Sequence, residues 1–187
     1  MNSEEREWIK RIQARDRESF KQLYDQYHQE LFNFLWYLTN SKEEAENLTQ
    51  NVFLNIWTKG EKWNPHTALR SFLYRCCKNE YLNFIRKGKT NPLFAAVEIT
   101  AANSSTNFGP EVDNEKEELK RSITKIIKSM PERKRLAFIL RYYFDMPYHQ
   151  IAEILDISIA TVNRDMASAY RILREKLKAF LFILNKR

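Results

Sequence analysis

Glycine is scarce in this chain: three in 187 residues, with only five prolines. A turn-rich all-β fold needs more of both, so long helices are the expectation. The two cysteines are adjacent, Cys76 and Cys77, which excludes a disulfide framework and a thiolate metal set. One buried and one part-exposed thiol in a reducing compartment is the plain reading. The histidines, His28, His66 and His149, lie apart from one another and from any cysteine or carboxylate cluster, so no metal and no cofactor is expected. No apolar run approaches a membrane span, the longest being the FLFIL of residues 180–184. The opening MNSEEREWIKR lacks the apolar core of a secretory signal. A cytoplasmic protein without membrane insertion is therefore expected. With no activated nucleophile and no phosphate-cradling glycine loop in view, an enzyme is the least expected class.

What is present is apolar side chain in helical rhythm and a surplus of positive charge. The 43% apolar content can fill one or two modest cores. A net charge of +7 suits a polyanionic partner. A short amphipathic helix opens the chain, with Trp8, Ile9 and Ile12 on one side. Asp16 can cap a longer one carrying Phe20, Leu23, Tyr24, Tyr27, Leu31, Phe34, Leu35 and Leu38, a stripe over five turns. Ser41 and Glu44 form a capping box that opens a third, with Ala45, Leu48, Val52, Phe53, Ile56 and Trp57 before Gly60. Asn64-Pro65 begins a fourth, closed by Gly88. These four suffice for an independent helical domain over 1–90.

The fourth helix is strongly basic. Arg70, Arg75, Lys78, Arg86, Lys87 and Lys89 face the single acid Glu80, a surplus of +5. Tyr74, Tyr81 and Phe84 are interleaved with these cations and Trp63 precedes them. Cations hold phosphates and aromatic faces stack unpaired bases, so the combination suits single-stranded or opening DNA. A solvated helix face with core aromatics is the alternative. From residue 91 the periodicity fails. Two X-Pro steps and the polar run of 103–107 mark a flexible linker over 91–112, and the acids around it leave −5 across 91–118. A second helical domain over 113–187 follows, with Leu119, Ile123, Ile126 and Ile127 in register and Pro131 placed as the first residue of the next helix.

The stretch YHQIAEILDISIATVNRDMASAYRILR, 148–174, carries the sharpest pattern. Ile151, Ala152 and Leu155 give a short helix an apolar face, Asp156-Ile157-Ser158 interrupts it, and Ser158 is a good N-cap. Val162, Met166, Ala169, Leu173 and Leu177 then form a second stripe, with Thr161, Asn163, Arg164, Ser168 and Arg171 opposite. Two helices about a tight turn make a helix-turn-helix, whose second member enters the DNA major groove. An ordinary helical hairpin is the competing reading.

In order and spacing, SFKQLYDQYHQELFNFL, EEAENLTQNVFLNIW, LRSFLYRCCKNEYLNFIRK, MPERKRLAFILRYYF and YHQIAEILDISIATV resemble the extracytoplasmic-function sigma factors of bacterial RNA polymerase. The resemblance spans nearly the whole chain. It implies an all-α protein of two helical domains joined by an acidic flexible linker, the C-terminal one a helix-turn-helix. It also implies a sigma factor that binds core RNA polymerase and directs promoter recognition, DNA opening and transcription initiation. Leu48, Gln50, Asn51, Val52, Phe53 and Trp57 fall in the segment that docks on the polymerase clamp in that family. Trp63, Asn64, Arg70, Tyr74, Arg75, Lys78, Asn79, Arg86 and Lys87 fall where the melted −10 element is captured. Ser158, Thr161, Asn163, Arg164 and Arg171 fall on the helix that reads the −35 duplex. Partners so implied are core polymerase, promoter DNA in double- and single-stranded form, and an anti-sigma factor or a DNA-bound recruiter.

Three departures from the family pattern stand out. Amides, Asn47 and Asn51, replace common carboxylates in the docking segment, so apolar contact by Val52, Phe53 and Trp57 is expected to dominate there. The recognition helix has Asn163, Asp165 and Ser168 where cations are common, and Asp165 near the groove would repel phosphate. Weak duplex binding is then expected, and with it help from a recruiter, for which FLFIL offers a surface. Third, the turn glycine is Asp156, an acceptable left-handed residue. A stand-alone helix-turn-helix regulator and a polymerase-binding adaptor without promoter choice are the alternatives. Since stacking on an aromatic contributes roughly 1–3 kcal/mol per base, Trp63→Ala is expected to reduce open-complex formation while leaving core-polymerase binding intact. Permanganate footprinting checks it: normal melting by that variant would make Trp63 a packing residue.

Overall fold

A computed structural model describes residues 3–59, 68–90 and 114–184, with side chains described over 5–59, 68–88, 119 and 121–178. The described residues form helices and their connections: α1 Ser3–Gln13, α2 Arg17–Thr39, α3 Lys42–Lys59, α4 Leu69–Thr90, α5 Asn114–Lys128, α6 Glu132–Tyr142, α7 Tyr148–Leu155 and α8 Ile159–Leu184. Two compact units divide the chain, Met1–Ser104 and Ser105–Arg187. The expected linker at 91–112 lies outside the described residues, as do Trp63 and Asn64.

The first unit is built on α2, which packs against α1, α3 and α4, while α3 also packs on α4. Its stripe supplies Leu23, Leu31, Phe34 and Leu35, all withdrawn from water, as are Ile12, Leu69, Leu73 and Tyr74 of the helices around it; the Phe34 and Tyr74 ring centroids lie 4.9 Å apart. Local chemistry sets the ends of this helix. Asp16 accepts from the Ser19 amide at 3.1 Å, satisfying one of the unpaired donors of the first turn. Asn40 takes a left-handed conformation (φ 58°) and its amide donates to the Trp36 carbonyl at 2.8 Å. The capping box is half formed: Ser41 Oγ accepts from the Glu44 amide at 3.3 Å, while the Ser41 amide donates to Thr39 Oγ1. Gly88 does not close the fourth helix, which runs on to Thr90; a single glycine lowers helix stability by only about 1 kcal/mol. Cys77 is buried and Cys76 half-buried, both as free thiols. Burial pushes the Cys76 thiol up to about 11.

The second unit is built on α8, packed against α5, α6 and α7. Leu136 to Leu140, Met146, Ile151, Ile154, Val162, Met166 and Ala169 fill its core. Pro131 is the N-cap rather than the first helical residue (φ −52°, ψ 138°), so α6 starts one residue later than expected. Between α7 and α8, Asp156 is left-handed (φ 57°, ψ 52°) and the Ile157 amide reaches the Ala152 carbonyl at 3.1 Å. Ser158 Oγ then accepts from the Thr161 amide at 3.1 Å and starts α8.

A left-handed backbone disfavours a side chain with a Cβ, and most of all a branched one. Asp156→Gly is therefore expected to stabilise the second unit by roughly 0.5–1 kcal/mol. Asp156→Val should weaken it by roughly 1–2 kcal/mol. Urea unfolding followed by circular dichroism reads both.

Candidate polymerase and nucleic-acid interfaces

Helix α3 turns two different faces outward and inward. Leu48, Val52 and Phe53 are buried with Ala45 and Ile56. Phe53 meets Tyr24 with ring centroids 4.8 Å apart and Phe20 at 6.3 Å, edge on. These three expected docking residues are thus core of the unit, and of Val52, Phe53 and Trp57, the residues expected to carry the apolar contact, only Trp57 keeps exposed surface. Trp57 is half-buried, with the Phe20 ring at 4.8 Å and the Arg15 guanidinium over its own ring at 5.5 Å. Arg15 also donates to the Trp57 carbonyl, and to that of Thr58 at 3.2 Å, closing the end of α3. Gln50 and Asn51 are exposed, Gln50 donating to Glu46 at 2.9 Å. The outward face they share with Asn47 carries one large apolar residue, Leu54, 59% exposed. Leu54 stands half a turn from the stripe of Ala45, Leu48, Val52 and Ile56, outside the apolar periodicity that the sequence displays.

At the start of α4 one carboxylate oxygen gathers two of the expected DNA contacts. Glu30 Oε1 accepts from Arg70 Nε at 2.9 Å and from the Tyr74 hydroxyl at 2.7 Å. The guanidinium also lies over the Tyr74 ring at 5.7 Å. Tyr74 has no exposed surface, and burial together with the Glu30 charge drives its hydroxyl pKa far upward. Burial weighs against the Arg70 charge, but the hydrogen bonds and charge of Glu30 outweigh it and raise its pKa. Tyr74 is therefore a packing residue and not a stacking platform; Tyr81 is buried as well. Further along, Asn79, Arg86 and Lys87 are exposed, while Arg75 and Lys78 are half-buried. Arg75, Asn79 and Arg86, spaced by four and seven, share one outward line of the helix. Arg86 donates to Asn83 at 2.8 Å. A cleft of about 90 Å³ between α3 and α4, lined in part by Asn55, Cys76, Asn79 and Glu80, is smaller than the few hundred Å³ that a cofactor occupies.

On α8, Asn163, Arg164 and Arg171 are exposed, and Thr161 is half-buried beside Ser158. Arg164 Nη2 donates to Thr161 Oγ1 at 3.2 Å. Asp165 does not join this face. It is buried, with Arg133 of α6 donating to both of its oxygens at 2.6 and 3.1 Å. The expectation that it repels phosphate at the groove is corrected: helical geometry turns it 100° from Arg164, towards the core side. Ser168 is drawn the same way, accepting from Lys134 at 2.8 Å. Among the described residues no group of three potential ligands assembles for a metal, and no helix is long and apolar enough to cross a membrane.

Known proteins match both units. The family description Sigma-70 region 2 matches residues 23–90, and Sigma-70, region 4 matches 120–173. The RNA polymerase sigma factor YlaC of Bacillus subtilis (strain 168) is 24% identical over 161 residues, covering 86% of this chain and 93% of that protein. The ECF RNA polymerase sigma factor SigW of the same organism is 23% identical over 178 residues, covering 91% and 95%. The chain belongs to the extracytoplasmic-function sigma factors. It directs promoter recognition and transcription initiation with RNA polymerase. Solved structures share the fold: CnrH in complex with the cytosolic domain of CnrY, at TM-score 0.68 and 16% identity, covers 93% of this chain and 97% of its own. The sigma factor RpoE in complex with the anti-sigma factor NepR, from Bartonella quintana, gives TM-score 0.63 and 22% identity, covering 85% and 96%.

In this sigma factor the region 2 match takes in α3, α4 and most of α2, and so includes the Glu30 network. Glu30→Ala deprives Arg70 and the buried Tyr74 hydroxyl of their shared acceptor and is expected to destabilise the first unit by about 1–3 kcal/mol. Tyr74→Phe removes the donor along with its bond and should cost about 1 kcal/mol or less. Thermal melting of the two variants checks the order. Equal losses would mean that the hydroxyl, not the carboxylate, organises the site.

Proposed function

We propose that this sigma factor divides its work among three outward faces. The face of α3 carrying Asn47, Gln50, Asn51 and Leu54 docks on core RNA polymerase. The line of Arg75, Asn79 and Arg86 on α4, with Lys78 and Lys87 beside it, tracks the backbone of the opened −10 strand, and Trp63 and Asn64 serve the same strand. The face of α8 with Ser158, Thr161, Asn163, Arg164 and Arg171 reads the −35 duplex. The observation that carries this division is the burial pattern. Leu48, Val52, Phe53, Tyr74 and Asp165 are buried in their own units, whereas Asn47, Gln50, Asn51, Leu54, Asn79, Arg86, Asn163, Arg164 and Arg171 are exposed. Cations on α4 attract the polyanion without regard to sequence, and side chains at base edges supply the choice. The chain itself does no bond chemistry in this account. It favours opening by binding the melted strand better than the duplex, and it acts in the cytoplasm with the polymerase. The reading extends to control by an anti-sigma factor, the kind of partner bound by RpoE of Bartonella quintana. The case for a DNA-bound recruiter is narrower with Asp165 turned inward, since only the small number of cations on early α8 still supports it.

Leu54 tests the docking face. Leu54→Asp is expected to weaken binding to purified core polymerase by roughly tenfold or more, as loss of an apolar anchor does, with melting unchanged. Phe53→Ala should instead destabilise the unit by about 3–5 kcal/mol. Core binding by Leu54→Asp equal to that of the unaltered chain would remove this face from the interface. Run-off transcription on genomic fragments shows whether the holoenzyme initiates.

A further inference from the structure

Two consecutive residues of α6 reach across to the recognition helix. Arg133 places Nε 2.6 Å from Asp165 Oδ2 and Nη2 3.1 Å from Oδ1, a fork against a fork. Lys134 places Nζ 2.8 Å from Ser168 Oγ. Asp165 and Ser168 are three apart, so both bonds grip one flank of α8 within a single turn. The pair is lopsided in its exposure: Asp165 keeps 3% of its surface, whereas the Arg133 side chain keeps 56%.

That geometry does something apolar packing does not. Burial of Val162, Met166 and Ala169 decides which side of α8 faces inward, but hydrophobic attraction has no direction and tolerates a helix rolled by a fraction of a residue. A bidentate guanidinium–carboxylate pair is planar and sets both angle and register. The grip also falls where it matters most. Arg164 is the neighbour of Asp165, and Thr161, which accepts from Arg164 at 3.2 Å, is one turn before it. A side chain reading a base edge has to arrive within hydrogen-bonding distance and angle, so a small roll of the helix axis is enough to forfeit the contact.

We propose that the Arg133–Asp165 fork, with Lys134–Ser168 beside it, is a positioning device that fixes the roll of α8 so that Thr161, Asn163, Arg164 and Arg171 meet the −35 bases together. Asp165 is then a specificity-positioning residue that touches no DNA, and an acid on a recognition helix serves base reading from behind. The idea rests on α8 being the duplex reader.

The experiment uses the full chain with core RNA polymerase and a pool of promoter duplexes randomised over ten base pairs of the upstream element. The unaltered holoenzyme runs first; selection of no upstream element by it would overturn the duplex reading itself, and the positioning idea with it. Given a selected element, Asp165→Asn and Arg133→Lys are expected to flatten its base preference by roughly tenfold. Core-polymerase affinity should stay at the value of the unaltered chain in both, and melting should stay there in Arg133→Lys. Arg133→Lys retains the charge and loses the fork, and at an exposed position it keeps the test informative even if Asp165→Asn fails to fold. The exchanged pair, Arg133→Asp with Asp165→Arg, should recover the original preference. Unchanged preference in Arg133→Lys overturns the proposal, because charge alone would then suffice. Tighter binding by Asp165→Asn with the same preference overturns it too, by showing that the acid acts on phosphate directly. Failure of the exchanged pair to recover a preference lost by folded single variants would also count against it.

Discussion

Polar groups buried between helices have to be met by partners, because an unpaired one costs a few kcal/mol, and in each unit a carboxylate on the central helix takes part: Glu30, whose side chain keeps 28% exposure, in the first, and the buried Asp165 in the second. In the first unit Glu30, on the central helix, receives Arg70 and Tyr74 from the first turns of α4. In the second, Asp165, on the central helix again, receives Arg133 from the first turn of α6. Apolar stripes bring the helices together; these pairs tie α4 to α2 in one unit and α6 to α8 in the other. The net energy of such pairs is modest next to that of the core, but their directionality is something the core lacks.

Pairing also redistributes the charge available to partners. Arg70 is held by Glu30, and on the proposed nucleic-acid face of α4 the exposed residues Asn79 and Arg86 stand further along the helix. Asp165 is neutralised by Arg133, so the polar face of α8 presents Asn163, Arg164 and Arg171 with no acid among them. A basic net charge says that the chain suits a polyanion.

Most of the fold was legible because it depends on short-range chemistry. Side chains three and four apart share a helix face whatever surrounds them, and Asp16, Ser41 and Ser158 cap because their oxygens reach amides three residues on. The left-handed turn at Asp156 was legible for the same reason. The departures were small: Pro131 stands one place outside its helix, and Gly88 fails to stop one. Much less of the site was legible. Leu48, Val52 and Phe53 follow one helical rhythm whether they face a core or a partner, and only the packing of α2 against α3 shows that the core has taken them.

By itself the sequence determined eight helical segments' worth of pattern among the described residues, the family, and the presence of polar faces on α3, α4 and α8. Those follow from composition, from spacing at 3.6 residues per turn, and from motifs held in contiguous stretches. Only the tertiary structure decided the placement of Leu54, Tyr74 and Asp165, the first exposed and the other two buried. Each depends on a partner distant along the chain: Tyr74 on Glu30, forty-four residues away, Asp165 on Arg133, thirty-two away, and Leu54 on the neighbours that cover the other side of α3. Periodicity states which residues lie together on a helix. Whether that side meets a core, a charge or a partner is settled by what packs against it.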